Sequence, residues 1–120
     1  MYEPAPVLYP DVALKVAAAV AEGKHERGIL ICGTGIGMAS TANKVPRLWA
    51  VVCQDPYSAD RSRKSNDCQI MILGSRVVGE ELAKMLVDIW LGAYFQGRRS
   101  TSKVEQIKEI EQDFLKKESH

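Results

Sequence analysis

The segment GILICGTGIGMASTANK, residues 28–44, constrains the fold more than any other part of the sequence. Its first five residues form a short, continuously apolar run, which is typical of a strand buried on both faces of a sheet. Glycines follow at positions 33, 35 and 37, and a stretch that reads as a helix comes next. A strand, a glycine turn and a helix in this order favour a parallel α/β sheet, in which ligands sit beyond the carboxyl ends of the strands.

The rest of the chain continues the alternation of strands and helices. LWAVVCQ at 48–54 and QIMIL at 69–73 predict two further buried strands. Asp55 is expected to cap a helix that begins at Pro56, and Ser102 with Glu105 forms a capping-box pattern. After an irregular lead-in at 1–8, the pattern predicts helices at 10–22, 36–44, 56–64, 79–95 and 100–117. The last helix carries one apolar stripe, so it needs a surface on its own domain or on a partner subunit.

Composition narrows the class of protein. A chain of 120 residues suits one domain, and a hydrophobic fraction of 46% with 26% charged residues is that of a globular protein. A net charge of +1 gives no bulk attraction to nucleic acid or to an anionic membrane, so neither is expected as a partner. No signal peptide or spanning run is recognisable, and three cysteines without a CxxC motif favour reduced thiols in the cytoplasm.

The chemistry of the opening segment centres on Cys32. This thiol ends the first strand, and the helix that begins near Ile36 directs its free N–H groups toward the glycine loop, which favours an anionic ligand. Thr34 adds a hydroxyl to the same loop. A packed core cysteine is the alternative reading of Cys32. The motif GTGIG is not a P-loop and is only loosely similar to the dinucleotide fingerprint, so a dinucleotide-binding module is a distant third hypothesis.

Several separate blocks of sequence carry a resemblance to a known family. They are GILICGTGIGM with ANK, then AVVCQDPYSADRSRKSND, GSRVVGEELAKMLVDIWLGAYFQGRR and KVEQI. In this order, from about Tyr9 to about Ile110, they resemble type B ribose 5-phosphate isomerase, whose family includes galactose 6-phosphate and allose 6-phosphate isomerases. The resemblance implies one domain over 1–120 with three α/β/α layers and a parallel, Rossmann-like sheet. It also implies a homodimer or homotetramer with shared active sites, in which a C-terminal helix at 98–120 packs on the partner subunit.

The resemblance assigns the catalytic roles. The family moves a proton through a cis-enediolate without metal or cofactor, which on this chain makes Cys32 the base and Thr34 a group that opens the sugar ring or orients the substrate. The loop that would stabilise the enediolate oxygen through its backbone N–H groups comprises Gly33, Gly35, Ile36 and Gly37.

The resemblance also assigns the binding residues. Tyr9 and Asn66 match sugar-binding residues, and Arg76 and Arg99 match phosphate-binding arginines. Lys103 stands where a further arginine is usual, which keeps the charge and loses the bidentate fork. A solvated linker is the alternative interpretation of Arg98, Arg99 and Lys103, and a turn residue is that of Asn66.

Two departures from the family leave the substrate and the activity open. The family's N-terminal strand, helix and strand, with an Asp-His pair that reaches the substrate, have no counterpart here. Ser65 also stands where the family often has a histidine that opens the furanose ring, and serine cannot replace imidazole in acid–base chemistry near neutral pH. Ribose 5-phosphate is the expected substrate. A tetrulose, allose or galactose phosphate and a catalytically silent sugar-phosphate-binding or assembly subunit are the alternatives.

Overall fold

The computed structural model describes residues 8–118, which form three parallel strands and five helices. The elements in chain order are α1 (Tyr9–Ala21), β1 (Gly28–Cys32), α2 (Ile36–Ala42), β2 (Ala50–Val52), α3 (Pro56–Lys64), β3 (Ile70–Gly74), α4 (Glu80–Gly92) and α5 (Arg99–Glu118). The strand order is β1-β3-β2. One face of the sheet packs against α1 and α2 and the other against α3 and α4, which confirms the predicted three-layer α/β/α architecture.

The register of the sheet defines its two edges. Gly28 and Ala50 both pair with Ile70, so all three strands begin at one edge, called here the amino edge. At the other end, Cys32 pairs with Gly74, and β2 finishes near the same level; this is the carboxyl edge. Helices in such a fold run antiparallel to the strands, so α1, α3 and α4 begin at the carboxyl edge and end at the amino edge.

The apolar core lies in two layers, one on each face of the sheet. Strand β3 is central and fully buried, and its side chains alternate between the layers. Ile70 and Ile72 face α1 and α2, whereas Met71 and Leu73 face α3 and α4 together with Trp90, which is fully buried. The continuous apolar run that predicted this strand is therefore explained by burial on both faces.

The predicted start of α3 is confirmed, and α1 also has residues at both ends that suit those positions. Pro10 lies in the first turn of α1, and Gly23 after its end adopts a φ of 82°, which suits glycine. Asp55 caps α3, and its carboxylate accepts hydrogen bonds from the backbone N–H and the hydroxyl of Ser58 at 2.8 and 2.7 Å. Local chemistry thus fixes these boundaries.

Other boundaries differ from the prediction. The run at 48–54 is a strand only over Ala50–Val52, and the Asn43 side chain bonds both the N–H and the carbonyl of Ala50 on the outer side of β2. Helix α2 also ends at Ala42, before Lys44. The capping box at Ser102 is wrong, since α5 already begins at Arg99 and Ser102 lies within its first turn.

The predicted helix at 79–95 ends at Gly92 because Arg27 closes it. Its guanidinium donates to the carbonyls of Trp90, Leu91 and Ala93 at 2.8, 3.2 and 2.7 Å. The same group stacks on the rings of Trp90 and Tyr94, with centroids 5.5 and 4.6 Å away. A cation at the carbonyl end of a helix is favoured by the helix dipole. Arg27 therefore ties the start of β1 to the end of α4 at the amino edge.

Helix α5 makes few contacts with the rest of the described chain. Val104 is its buried residue, and Glu111 accepts a hydrogen bond from the Arg47 backbone N–H at 2.8 Å. The rest of its apolar stripe is exposed, at Ile107, Ile110, Phe114 and Leu115. Packing of this stripe on a partner subunit remains a prediction.

Strand β1 lies at one side of the sheet, and its outer side pairs with no other described strand. Ile31 in this strand exposes 63% of its surface. No helix within residues 8–118 has the length and apolarity needed to cross a membrane.

Candidate functional site

Cys32 ends β1 at the carboxyl edge, where its thiol is half-buried. The Cys32 carbonyl accepts a hydrogen bond from the Ser75 N–H at 2.7 Å, and the Gly33 carbonyl accepts one from the Arg76 N–H at 2.9 Å. These two bonds tie the loop that follows β1 to the turn that follows β3. The loop after Cys32 is consequently held in one place relative to the sheet.

Two glycines let this loop approach the sheet closely. Gly35 has a φ of 85°, and a side chain there would also lie 2.9 Å from Ile72. A β-carbon at Gly74 would lie 2.8 Å from the backbone oxygen of Thr34. Because that neighbour is backbone and cannot swing away, glycine is required at Gly74 for the loop to keep this position.

The loop presents backbone N–H groups. Those of Gly33, Thr34 and Gly35 donate to no described residue, and that of Ile36 donates to the Thr34 hydroxyl oxygen at 3.3 Å. Free N–H groups beside a thiol form the arrangement that stabilises an oxyanion next to a base. Since the Thr34 oxygen accepts this bond, its hydroxyl hydrogen is available to a ligand.

Tyr9 and Arg76 flank the glycine loop at the carboxyl edge. The ring of Tyr9 covers Gly37 so closely that any side chain at Gly37 would overlap it. The Arg76 side chain passes over Gly33, and both Cδ and Nε lie 3.6 Å from the point where a β-carbon would stand. The structure thus brings together Cys32, Thr34, the glycine loop, Tyr9 and Arg76 at the carboxyl edge.

Asn66, Arg99 and Lys103 lie elsewhere. Asn66 follows the end of α3 and precedes β3, which places it at the amino edge. The Gln96 N–H donates to the Lys64 carbonyl at 3.1 Å, so the connector that leads to Arg99 lies at this edge too. Strand β3 separates the two edges by about 13 Å at 3.3 Å per residue. Within one chain, these residues do not join the site around Cys32.

A shallow depression of about 360 Å³ at the amino edge has a cationic lining. Its lining residues are Arg61, Lys64, Gln96, Gly97, Arg98, Arg99 and Ser100, and none of them is acidic. Lys64 is paired with Asp60 at 2.8 Å, whereas the three arginines make no ion pair with any described residue. Sequence reasoning missed Arg61 and Lys64, because basic residues in the last turn of a helix are also explained by its dipole.

The remaining cysteines and the acidic groups offer no second centre. Burial raises the pKa of the Cys53 thiol, and it raises the pKa of Cys68 to about 12. Both side chains are buried. Within the described part of the chain, no three His, Cys, Asp or Glu side chains are grouped as a metal site requires.

Comparison with known proteins gives one consistent result. Residues 1–107 match the family model described as Ribose/Galactose Isomerase. The chain is 56% identical over 100 residues to the D-erythrulose-4-phosphate isomerase of Pectobacterium atrosepticum, covering 83% of this chain and 66% of that protein. It is also 56% identical over 104 residues to Escherichia coli ribose-5-phosphate isomerase B, covering 87% and 70%.

A solved structure agrees with the sequence matches. The ribose-5-phosphate isomerase B of Clostridium thermocellum is similar to this chain with a TM-score of 0.87 and 50% identity, covering 95% of this chain and 77% of the other. The chain therefore spans about two thirds to three quarters of the length of these relatives.

Proposed function

The chain belongs to the ribose/galactose isomerase family of sugar-phosphate isomerases, and on that premise we propose that it interconverts an aldose phosphate and a ketose phosphate with Cys32 as the base. The observation that carries this proposal is the position of Cys32 at the carboxyl edge, directly before backbone N–H groups that are free of described partners. A base and oxyanion donors side by side are what proton transfer next to a carbonyl requires.

The proton transfer needs no reactant besides the sugar phosphate and the Cys32 side chain. The Cys32 thiolate takes the C2 proton of the aldose, and the C–H electron pair moves to form an enediolate with its negative charge on O1. The loop N–H groups stabilise that charge. The thiol returns the proton to C1, and the hydroxyl hydrogen of O2 moves to O1, which leaves the ketose. Thr34 orients the substrate through its free hydroxyl hydrogen.

We propose that two copies of the chain complete each site. Asn66 and Arg99 lie at the amino edge, about 13 Å of strand away from Cys32, and a four- or five-carbon sugar phosphate cannot bridge that distance. If the amino edge of one copy faces the carboxyl edge of another, the sugar-binding and phosphate-binding residues meet the base. This arrangement is supported by the exposure of Arg99 and of the apolar stripe of α5.

Mixing two variants of reduced activity tests the shared site. Cys32→Ala and Asn66→Ala chains, each with low turnover alone, are unfolded, mixed and refolded together. Random pairing gives half mixed dimers with one intact site in each, so activity should return to about a quarter of the wild-type value. A mixture that is no more active than its two components would show that Cys32 and Asn66 act within one chain.

For the substrate, we propose a four-carbon ketose phosphate in preference to ribose 5-phosphate. Ribose 5-phosphate closes into a furanose through O4 and must be opened, whereas D-erythrulose 4-phosphate carries its phosphate on O4 and cannot close in this way. Ser65 lies beside Asn66 at the amino edge. His25, the histidine within residues 8–118, lies in the loop between α1 and β1 and does not line the depression at this edge. Among the described residues, the lining of the depression therefore includes no imidazole to open a ring.

This preference is tested by measuring the turnover of D-erythrulose 4-phosphate and of ribose 5-phosphate by the wild-type chain and by Ser65→His. The wild-type chain is expected to have the higher kcat/KM with D-erythrulose 4-phosphate. Ser65→His should raise kcat for ribose 5-phosphate by about 10-fold or more, since general acid catalysis contributes factors of 10² or above. A wild-type preference for ribose 5-phosphate that Ser65→His leaves unchanged would contradict the proposal. Binding of both phosphates with no turnover in the assembled protein would instead identify a silent subunit.

A further inference from the structure

We infer that Arg61 and Arg98, together with Arg99, bind the phosphate group of the substrate in the depression at the amino edge. This inference rests on the proposed function, and it adds to the phosphate site two arginines that come from different parts of the sequence. Arg61 is in the last turn of α3, and Arg98 directly precedes α5. Both line the same depression as Arg99.

The charge balance of the depression favours an anion. Four of its seven lining residues are cationic and none is acidic. Asp60 neutralises Lys64 at 2.8 Å, which leaves three guanidinium groups without an ion pair among residues 8–118. Three uncompensated guanidinium groups around one depression repel each other, and a doubly charged phosphate ester relieves that repulsion. Arginine also matches the geometry of phosphate oxygens through two parallel N–H donors.

The backbone around Arg98 also favours a bound anion. Arg98 has a φ of 56°, a left-handed conformation that is strained for a residue other than glycine. Gly97 before it has a φ of 69°, and the Gly97 and Arg98 carbonyls accept from the N–H groups of Ser100 and Thr101. The N–H groups of Arg98 and Arg99 donate to no described residue. A strained arginine beside free N–H donors is typical of a ligand-binding site.

The position of the depression fixes which part of the substrate it holds. Asn66 lies two residues after Lys64, so the sugar-binding amide and the cationic lining share the amino edge. A substrate whose carbonyl end reaches Cys32 of one copy would place its phosphate end against the amino edge of the other. The three arginines then set the selectivity for a phosphate ester over an unphosphorylated sugar.

Inorganic phosphate is the probe, and its affinity for the assembled protein is measured by titration calorimetry without any turnover. Arg61→Gln and Arg98→Gly should each weaken phosphate binding by about 10-fold or more, because a hydrogen bond to a charged group is worth that factor. Arg98→Gly should also leave Tm unchanged or raise it, since glycine relieves the left-handed strain. A purely structural role for Arg98 would not separate stability from affinity in this way.

The controls keep the result decisive. Lys84→Gln removes one positive charge from an exposed residue of α4 and should leave phosphate affinity unchanged. Arg61→Lys retains the charge and should recover part of the affinity, and it replaces Arg61→Gln if that variant fails to fold. Unchanged phosphate affinity in Arg61→Gln and Arg98→Gly would overturn the inference even if the enzyme turns over substrate. Phosphate binding that depends on these arginines without turnover would instead leave the inference standing and sink the proposed function.

Discussion

The two edges of the sheet are built in opposite ways. At the carboxyl edge the site is made of backbone: glycines pack against Ile72 and against the Thr34 carbonyl, and the donors are main-chain N–H groups. At the amino edge the candidate ligands are long arginine side chains around a shallow depression, of which Arg98 and Arg99 are exposed and Arg61 is half-buried. Backbone donors in a packed loop suit the positioning of a reacting carbon, whereas long cationic side chains suit capture of a charged group that does not react.

The largest loss of activity is expected for a substitution at the carboxyl edge. Cys32→Ala should lower kcat by about 10²–10⁴-fold, the usual contribution of a general base. Asn66→Ala, at the amino edge, should lower kcat/KM by about 10-fold, as expected for a lost hydrogen bond that leaves the base in place. Turnover assays with the assembled protein measure both. Cys68→Ala is the control for a thiol outside the site, and equal losses in Cys32→Ala and Cys68→Ala would remove the special role of Cys32.

A second prediction concerns the rigidity of the carboxyl edge. Gly74→Ala should lower the free energy of unfolding by about 1–3 kcal/mol, because the new methyl group meets the Thr34 backbone oxygen and overpacks the loop. Chemical denaturation measures the loss. Gly92→Ala is the matched control, since nothing lies within 4 Å of a β-carbon there. Similar stability of the two variants would mean that the loop yields easily and that this edge is not rigid.

The third prediction tests what holds the amino edge together. Arg27→Met should destabilise the protein by about 1.5 kcal/mol, because three carbonyls at the end of α4 lose a charged donor. Lys24→Met removes a surface lysine whose pair with Glu22 is exposed, and it should change stability by less than about 0.5 kcal/mol. Thermal unfolding compares the two. If the Arg27 variant is no less stable than the Lys24 variant, the guanidinium contributes nothing net to the helix end.

The smallest effect is a pH dependence at the start of α3, the helix that spans from one edge to the other. Hydrogen bonds from Ser58 lower the pKa of Asp55 below its usual value. A lowered pKa in the folded state adds stability above the unfolded pKa of about 4, and this stability is lost as the pH falls toward the folded value. Asp55→Asn should therefore flatten slightly the fall of Tm below pH 5. If Tm falls with pH in the same way in Asp55→Asn, protonation of Asp55 does not contribute to that fall.

Much of the carboxyl edge could be predicted from local sequence. The run GILIC, the glycine pattern and the Asp55–Pro56 signal each act over a few residues, so they specify β1, the loop and the start of α3 directly. Long-range contacts could not be predicted in this way. The end of α4 depends on Arg27, more than 60 residues earlier in the chain, and the outer side of β2 is bonded by the Asn43 side chain rather than by another described strand. The depression at the amino edge joins α3 to the connector before α5, and no local pattern relates them.

The exposed Ile31 in β1 has a practical consequence for work with this polypeptide. A strand with one unpaired side offers its N–H and carbonyl groups to any other extended chain, and an apolar side chain on it makes such pairing more adhesive. Turbidity and loss of material should therefore increase with protein concentration when the chain is purified alone. Replacing Ile31 with lysine places a charge on this strand and should keep concentrated samples clear, which light scattering can follow.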